Sequence, residues 1–318
     1  MFPLRRIWLV LLSGLCWLPA AALTPQTDDD ILRQFMWQRF IELPKEARPK
    51  IGLALSAGGV RGFAHVGVLE VFSNARLPID YLAGTSMGSV VGGFYAAGLP
   101  TDKLWELGEH ISLKTITPDF NVMGLFRFLF ARKLPTSANL AKFFEEQLGD
   151  KQFEDLAIPF SCSAMDVKTG ERVLFNSGPL AIAVRASMNL PGVFEPVQYR
   201  HRALVDGAVA DYLPVDSVKQ MGADYIIASV TPLDFSSKMP SSILGYVNRV
   251  SDVRAAAMIE EASKNANFVL TNRVLDTGTL ELGKLHQAGE VGVKEAYRNL
   301  PALQEDILLE MLPYVFKK

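Results

Sequence analysis

Ser86 stands between two glycines in Gly84-Thr85-Ser86-Met87-Gly88, directly after the apolar run "IDYLAG". On a strand-to-helix turn this spacing presents a serine hydroxyl as a nucleophile, and the flanking glycines remove Cβ atoms where the two backbones close on each other. A serine at a helix start also caps amides, so the spacing alone leaves both roles open. The chemical role requires a base for the hydroxyl proton.

Four histidines could supply it: His65, His110, His201 and His286. A triad in the order serine, acid, histidine needs a histidine after Asp206, which leaves His286. That residue sits in "ELGKLHQAGE", an exposed helix-like segment without turn framing. His201 lies five residues before Asp206 in "YRHRALVDGAV", along an expected strand, and His65 lies on the helix after a glycine turn, where a packed structural role is expected. Asp206 differs from all of them. "ALVDGAVADYLP" ends an apolar run with Asp206-Gly207-Ala208, which puts a carboxylate at a strand end beside a residue free to turn. With an ordinary pKa of about 3.9 an aspartate is a feeble base, so it activates Ser86 only by direct contact in a desolvated site. The alternative is a turn aspartate that caps local amides.

The third group is the turn Gly58-Gly59-Val60-Arg61-Gly62. Glycine-rich turns at helix starts cradle phosphates. Here the G-x-G-x-x-G register is missing and no Gly-Lys-Ser/Thr follows, so the spacing argues against a nucleotide site. Amides at a helix start suit a transient oxyanion equally well. The chain has no H-E-x-x-H and no clustered Cys/His set, and neither a metal nor an organic cofactor is expected.

The elements that must position these groups follow from hydrophobic patterning. "KIGLALS" (50 to 56), "IDYLAG", "IPFSCSAMDV" (158 to 167), "ERVLFNS" and "ADYIIASV" (223 to 230) read as strands, with a turn at Lys168-Thr169-Gly170. "FAHVGVLEVFSNA" and "SMGSVVGGFYAAGL" read as helices, and the chain reads as helical from about Ser241 onward. Strands alternating with helices predict a three-layer α/β sandwich with a mainly parallel central sheet and extra C-terminal helices. Active sites of such folds lie at the carboxyl ends of strands.

The 318 residues are 49% hydrophobic and 21% charged with a net charge of -2, which gives no basic surface for nucleic acid. "MFPLRRIWLVLLSGLCWLPAAALTPQ" has the charged, apolar and small-residue layout of a signal peptide, with cleavage expected after Ala22 and an uncleaved membrane anchor as the alternative. It predicts an exported protein, periplasmic or secreted, that keeps Cys162 as its only cysteine and so forms no intramolecular disulfide. The expected organisation is a signal at 1–22, a helix and linker at 23–49, a catalytic domain at 50–275 and a helical extension at 276–318. Within 119 to 135, "DFNVMGLFRFLFARKLP" concentrates Phe126, Phe130 and other apolar residues with Arg127, Arg132 and Lys133. It reads either as a lipid-facing segment or acyl-chain wall in transient contact with a membrane surface, or as a helix buried against the sheet.

Taken together, the glycine turn, G-T-S-M-G and Asp206-Gly207-Ala208 resemble the patatin-like phospholipase family, and "RGFAHVGVLE" and "RASMNLPGVFEPV" are similar to its bacterial branch. The resemblance covers roughly residues 50 to 275. It implies a Ser-Asp dyad without histidine, Ser86 as nucleophile and Asp206 as base, with amides of Gly58, Gly59 and Val60 as the oxyanion hole. Arg61 would hold that loop or meet an anionic headgroup, and Phe126 and Phe130 would line the substrate. Ser56-Ala57 depart from the family pattern, which often has glycines there. The implied activity is lipid acyl hydrolysis on a lipid or phospholipid ester through an acyl-enzyme, with acyl transfer to an alcohol as the alternative and non-catalytic lipid binding as a third reading.

Overall fold

The near-continuous apolar run after Lys50 forms β1 (Ile51–Leu55), buried along its whole length in the middle of the sheet. The computed structural model describes residues 27–110, 134, 136–233, 243–278 and 281–316. The expected signal peptide, Phe126 and Phe130 lie outside these residues.

The other strands are β2 (Tyr81–Thr85), β3 (Phe160–Asp166), β4 (Arg172–Phe175), β5 (Val197–Tyr199), β6 (Arg202–Asp206), β7 (Tyr225–Val230) and β8 (Phe268–Thr271). They form one sheet in the order β5-β6-β3-β2-β1-β7-β8, with β4 paired to β3. From β3 through β2, β1 and β7 to β8 all pairs are parallel, while β4, β5 and β6 pair antiparallel. The fold is therefore the mixed, mostly parallel sandwich that the alternation of elements predicts.

Side-chain alternation separates the two faces of the sheet. Leu53, Leu55, Leu82 and Ile227 enter the larger core, whereas Ala54, Ala83 and Ala228 line a shallower core on the opposite face. The large core is closed by α1 (Asp28–Ile41), α2 (Ala64–Asn74), α3 (Met87–Ala96), α4 (Thr101–His110), α5 (Ala138–Leu148), α6 (Leu180–Ser187) and the later α9 (Leu285–Glu310). The small core is closed by α7 (Val215–Gln220) and α8 (Ile243–Ser263). A short α10 (Leu312–Phe316) ends the described chain.

Both flanking segments share the main core. Trp37 and Phe40 of α1 and Leu285, Ala288, Leu303 and Ile307 of α9 belong to the same buried cluster as β1 and β2. Thr27 caps α1 in a reciprocal capping box with Asp30, ahead of three first-turn aspartates that suit the positive end of the helix.

The region after Ser241 is not helical throughout. β8 adds to the sheet edge by pairing with β7, Ile227 opposite Phe268 and Val230 opposite Thr271. Four residues are too few to register against the helical spacing around them. His201 also lies off any strand. Arg200 and His201 have φ of 44° and 66° and form the tight turn between β5 and β6.

Candidate active site

Strand register brings the two reactive groups together. β2 ends with Thr85 opposite Ser163, and β6 ends with Asp206 opposite the next residue, Ala164, so two strands of opposite direction converge on one point of β3. Thr85 Oγ1 and Ser163 Oγ lie 2.9 Å apart beneath this junction.

Ser86 occupies the turn from β2 into α3 with φ 54° and ψ -123°, a conformation that a residue with a side chain takes at a cost of roughly 1–3 kcal/mol. Its carbonyl accepts from Ser89 and Val90 amides at 2.8 and 3.1 Å, and from Ser89 Oγ at 2.6 Å. Its own amide donates to Ser187 Oγ at 2.9 Å. The side chain makes no capping bond to α3 and instead donates to Asp206 Oδ2 at 2.6 Å.

Asp206 makes both contacts that its sequence setting left open, one to the serine and one to a local amide. Oδ1 accepts the Ala208 amide at 2.8 Å, while Oδ2 faces the serine. The backbone amide of Asp206 donates to the Asn189 carbonyl at 2.9 Å. Ser86 is 6% exposed and Asp206 1%. Burial pushes the Asp206 carboxyl up to about 6, against the lowering effect of its hydrogen bonds from Ser86 and Ala208. The result is a carboxylate ionised at neutral pH and about a hundredfold more basic than in water, in direct contact with a serine hydroxyl.

Gly58 and the 3-10 helix Gly59–Phe63 lie beside this pair. The first amides of such a helix have no acceptor within it and are free for a ligand anion. The turn and the serine elbow are in close contact. A Cβ on Gly88 would stand 2.5 Å from the Leu55 and Ser56 carbonyl oxygens, and one on Gly62 would stand 2.7 Å from Met87 Cβ. Glycine at both positions lets the two loops meet. Arg61, 8% exposed, donates to the Thr277 carbonyl at 3.2 Å and also bonds the Tyr212 hydroxyl, which ties the turn to the segment after β8.

An apolar cavity borders the elbow, lined by Met87, Val90, Val91 and Phe94 together with Phe63, Val66, Leu104, Leu107 and Phe143. No group of three or more histidine, cysteine or acidic side chains suited to a metal occurs among the described residues. Cys162 is buried, and its thiol is pushed up by desolvation.

The histidines are engaged elsewhere. His286 is exposed on α9, beside Glu290 and against the Trp105 ring, and His201 is exposed in its turn. His65 is buried against Ser229 and Ser56. The side chain of His110 lies outside the described residues.

A family model for patatin-like phospholipases matches residues 53–219, the stretch that carries Ser86, Asp206 and the glycine turn. The chain belongs to the patatin-like phospholipase family. An uncharacterized NTE family protein of Mycobacterium bovis is 36% identical over 183 residues, which are 57% of this chain and 48% of that protein. Lysophospholipase NTE1 of Lodderomyces elongisporus is 27% identical over 274 residues, 76% of this chain and 18% of that protein. The chain thus spans about half the length of the mycobacterial relative and under a fifth of the yeast one. Human GIVD cytosolic phospholipase A2, solved with methyl gamma-linolenyl fluorophosphonate, shares the fold at TM-score 0.51 and 14% identity over 88% of this chain and 63% of that one. VipD from Legionella pneumophila shares it at TM-score 0.50 and 13% identity over 80% of this chain and 67% of that one.

Sequence reasoning passed over Ser187 and Asn189, which hold the backbones of Ser86 and Asp206. Their signal is in "RASMNLPGVFEPV", where the small-residue end of α6 meets Leu-Pro-Gly.

Proposed function

We propose that the protein is a serine lipid acyl hydrolase of the phospholipase A or lysophospholipase type, working through a Ser86–Asp206 dyad. The observation that carries this reading is the 2.6 Å bond from Ser86 Oγ to a buried, basic Asp206 carboxylate at the end of β6. Family membership and the lysophospholipase name of the yeast relative favour a lipid ester as substrate.

In this mechanism Ser86 Oγ bonds to the ester carbonyl carbon as its proton passes to Asp206 Oδ2. The carbonyl π pair moves onto oxygen and meets the amides of Gly58, Gly59 and Val60. One such donor is typically worth about 2.7–4 kcal/mol in the transition state. Collapse re-forms the carbonyl and expels the alcohol, which takes the proton from Asp206. Water then repeats the sequence on the acyl-enzyme, with Asp206 again as base, and releases the fatty acid.

The test is mass spectrometry of the full chain after a fluorophosphonate probe, with turnover of a lipid panel. The wild type should gain one adduct on the peptide containing Ser86, and Ser86→Ala should gain none and lose turnover by more than about 10⁴-fold. Turnover retained in Ser86→Ala refutes the assignment.

A further inference from the structure

Behind the glycine turn runs a buried polar chain that the proposed reaction does not touch. His65, the second residue of α2, is fully buried, with Nε2 3.0 Å from the Ser56 carbonyl oxygen and Nδ1 2.9 Å from Ser229 Oγ. A carbonyl oxygen only accepts, so Nε2 carries the ring proton and Nδ1 of the neutral ring accepts from the Ser229 hydroxyl. Asn272, just past β8, completes the order. Its Nδ2 donates to the Val230 carbonyl at 3.2 Å and to Ser229 Oγ at 3.0 Å. Burial, opposed in part by the Ser56 carbonyl, lowers the His65 pKa to about 4, so the ring is neutral where esterases work.

The Ser56 carbonyl is a junction between the two halves of the site. It accepts from His65, and Gly88 of the serine elbow packs against it closely enough to exclude a Cβ. One residue on, the Ala57 amide donates to the Tyr212 carbonyl at 2.9 Å, and the Ala57 carbonyl accepts from Ser56 Oγ and Thr231 Oγ1 at 2.8 and 2.7 Å. The peptides that immediately precede Gly58 are therefore fixed from behind by side chains of α2, β7 and the segment after it.

We propose that His65 is a positioning residue for the oxyanion hole: its Nε2–H holds the Ser56 peptide so that the Gly58, Gly59 and Val60 amides meet the oxyanion, while Ser229 and Asn272 fix the ring. The inference rests on the dyad reading above. It assigns work to a histidine that makes no contact with the reacting atoms.

The test compares the full chain with His65→Leu and with His65→Gln, whose amide N–H can replace Nε2–H. Steady-state kinetics on a soluble ester are read beside inhibition by an alkyl trifluoromethyl ketone and by the fatty acid product. The ketone reports the oxyanion hole directly. Ser86 Oγ adds to its carbonyl carbon, the proton passes to Asp206 and the π pair becomes a hemiketal oxyanion with no leaving group. His65→Leu should lose about 10- to 100-fold in kcat and in ketone affinity, while KM and fatty acid affinity stay within about threefold. His65→Gln should recover most of that loss. Should His65→Leu not fold, Ser229→Ala, which frees the ring but leaves it in place, should show the same split with a loss of about three- to tenfold.

Wild-type kcat in a folded His65→Leu protein, or in Ser229→Ala where the leucine variant does not fold, overturns the proposal. Equal losses of ketone and fatty acid affinity, or a glutamine variant no better than leucine, overturn it as well. A Ser86→Ala control separates the two readings. Turnover surviving there removes the dyad, whereas its loss alongside a fully active His65→Leu protein removes the His65 assignment alone.

Discussion

Replacing Asp206 by asparagine should abolish turnover and, at neutral pH, make the protein more stable. Asparagine keeps the local bonding: Oδ1 can accept the Ala208 amide as the carboxylate does, and Nδ2 can donate to Ser86 Oγ. Only the Ser86 hydroxyl proton loses its carboxylate acceptor, a cost that does not vary with pH. The difference lies in charge. Burial raises the Asp206 pKa from 3.8 to about 6, so between these values the folded protein holds a proton that the unfolded chain releases. Stability from this group is complete below pH 3.8 and falls as pH rises through about 6. The rise of about two pH units, at about 1.4 kcal/mol each, amounts to about 3 kcal/mol once Asp206 is fully ionised.

Asparagine does not titrate and escapes that loss. Denaturant unfolding of wild type and Asp206→Asn at several pH values from about 4.5 to 7.5 measures the effect, and other titrating groups cancel in the difference between the two proteins. The stability difference should move toward the variant by about 2 kcal/mol across this interval. Wild-type kcat/KM on a soluble ester should climb through an apparent pKa near 6, because only the ionised carboxylate accepts the Ser86 proton. A stability difference that is flat with pH, or that moves against the variant as pH rises, refutes the account of Asp206 as a carboxylate held at the expense of the fold.

Three further substitutions test the surroundings. His201→Ala and His286→Ala should each retain turnover within about threefold of wild type in the soluble-ester assay, since both rings are exposed and away from the Ser86 hydrogen bonds; a collapse in either restores a histidine base. Asp80→Asn should destabilise the fold by about 3–5 kcal/mol in denaturant unfolding at pH 7, because it strands the buried Arg48 guanidinium. Burial alone would raise the Asp80 pKa, yet the bonds from Arg48 and the Ile51 amide outweigh it and hold the carboxyl below 3.8, so this contribution is present above pH 3.8 and is lost as pH falls below it.

Much of this arrangement is legible in the sequence itself. The apolar runs around Leu53 and Ile227 mark strands buried on both faces, and glycines at 84 and 88 mark the tight turn around Ser86. β5 and β8 were harder because they are short and lie at the sheet edges, where packing on one neighbour replaces a strong local pattern. The backbone support from Ser187 and Asn189 was illegible for another reason. Each acts across about a hundred residues or fewer of intervening chain through one hydrogen bond, and nothing in the spacing of a small polar residue announces its partner.

The same distinction explains why the histidines pointed away from a triad while one of them is tied to the site. In the proposed dyad a base must reach the serine hydroxyl, and at the converging ends of β2 and β6 the group in hydrogen-bond contact with it is Asp206. A carboxylate with its ordinary pKa would hold the serine proton poorly, and burial brings it to about 6, close to the 6.5 of an imidazole in water. Desolvation thus does for the carboxylate what the choice of side chain does in a histidine-based site. It also demands neutral, fully bonded surroundings, because a cation beside Asp206 would lower its pKa again. His65, proposed above to brace the glycine turn, is itself uncharged, because burial outweighs its bond to the Ser56 carbonyl and lowers its pKa.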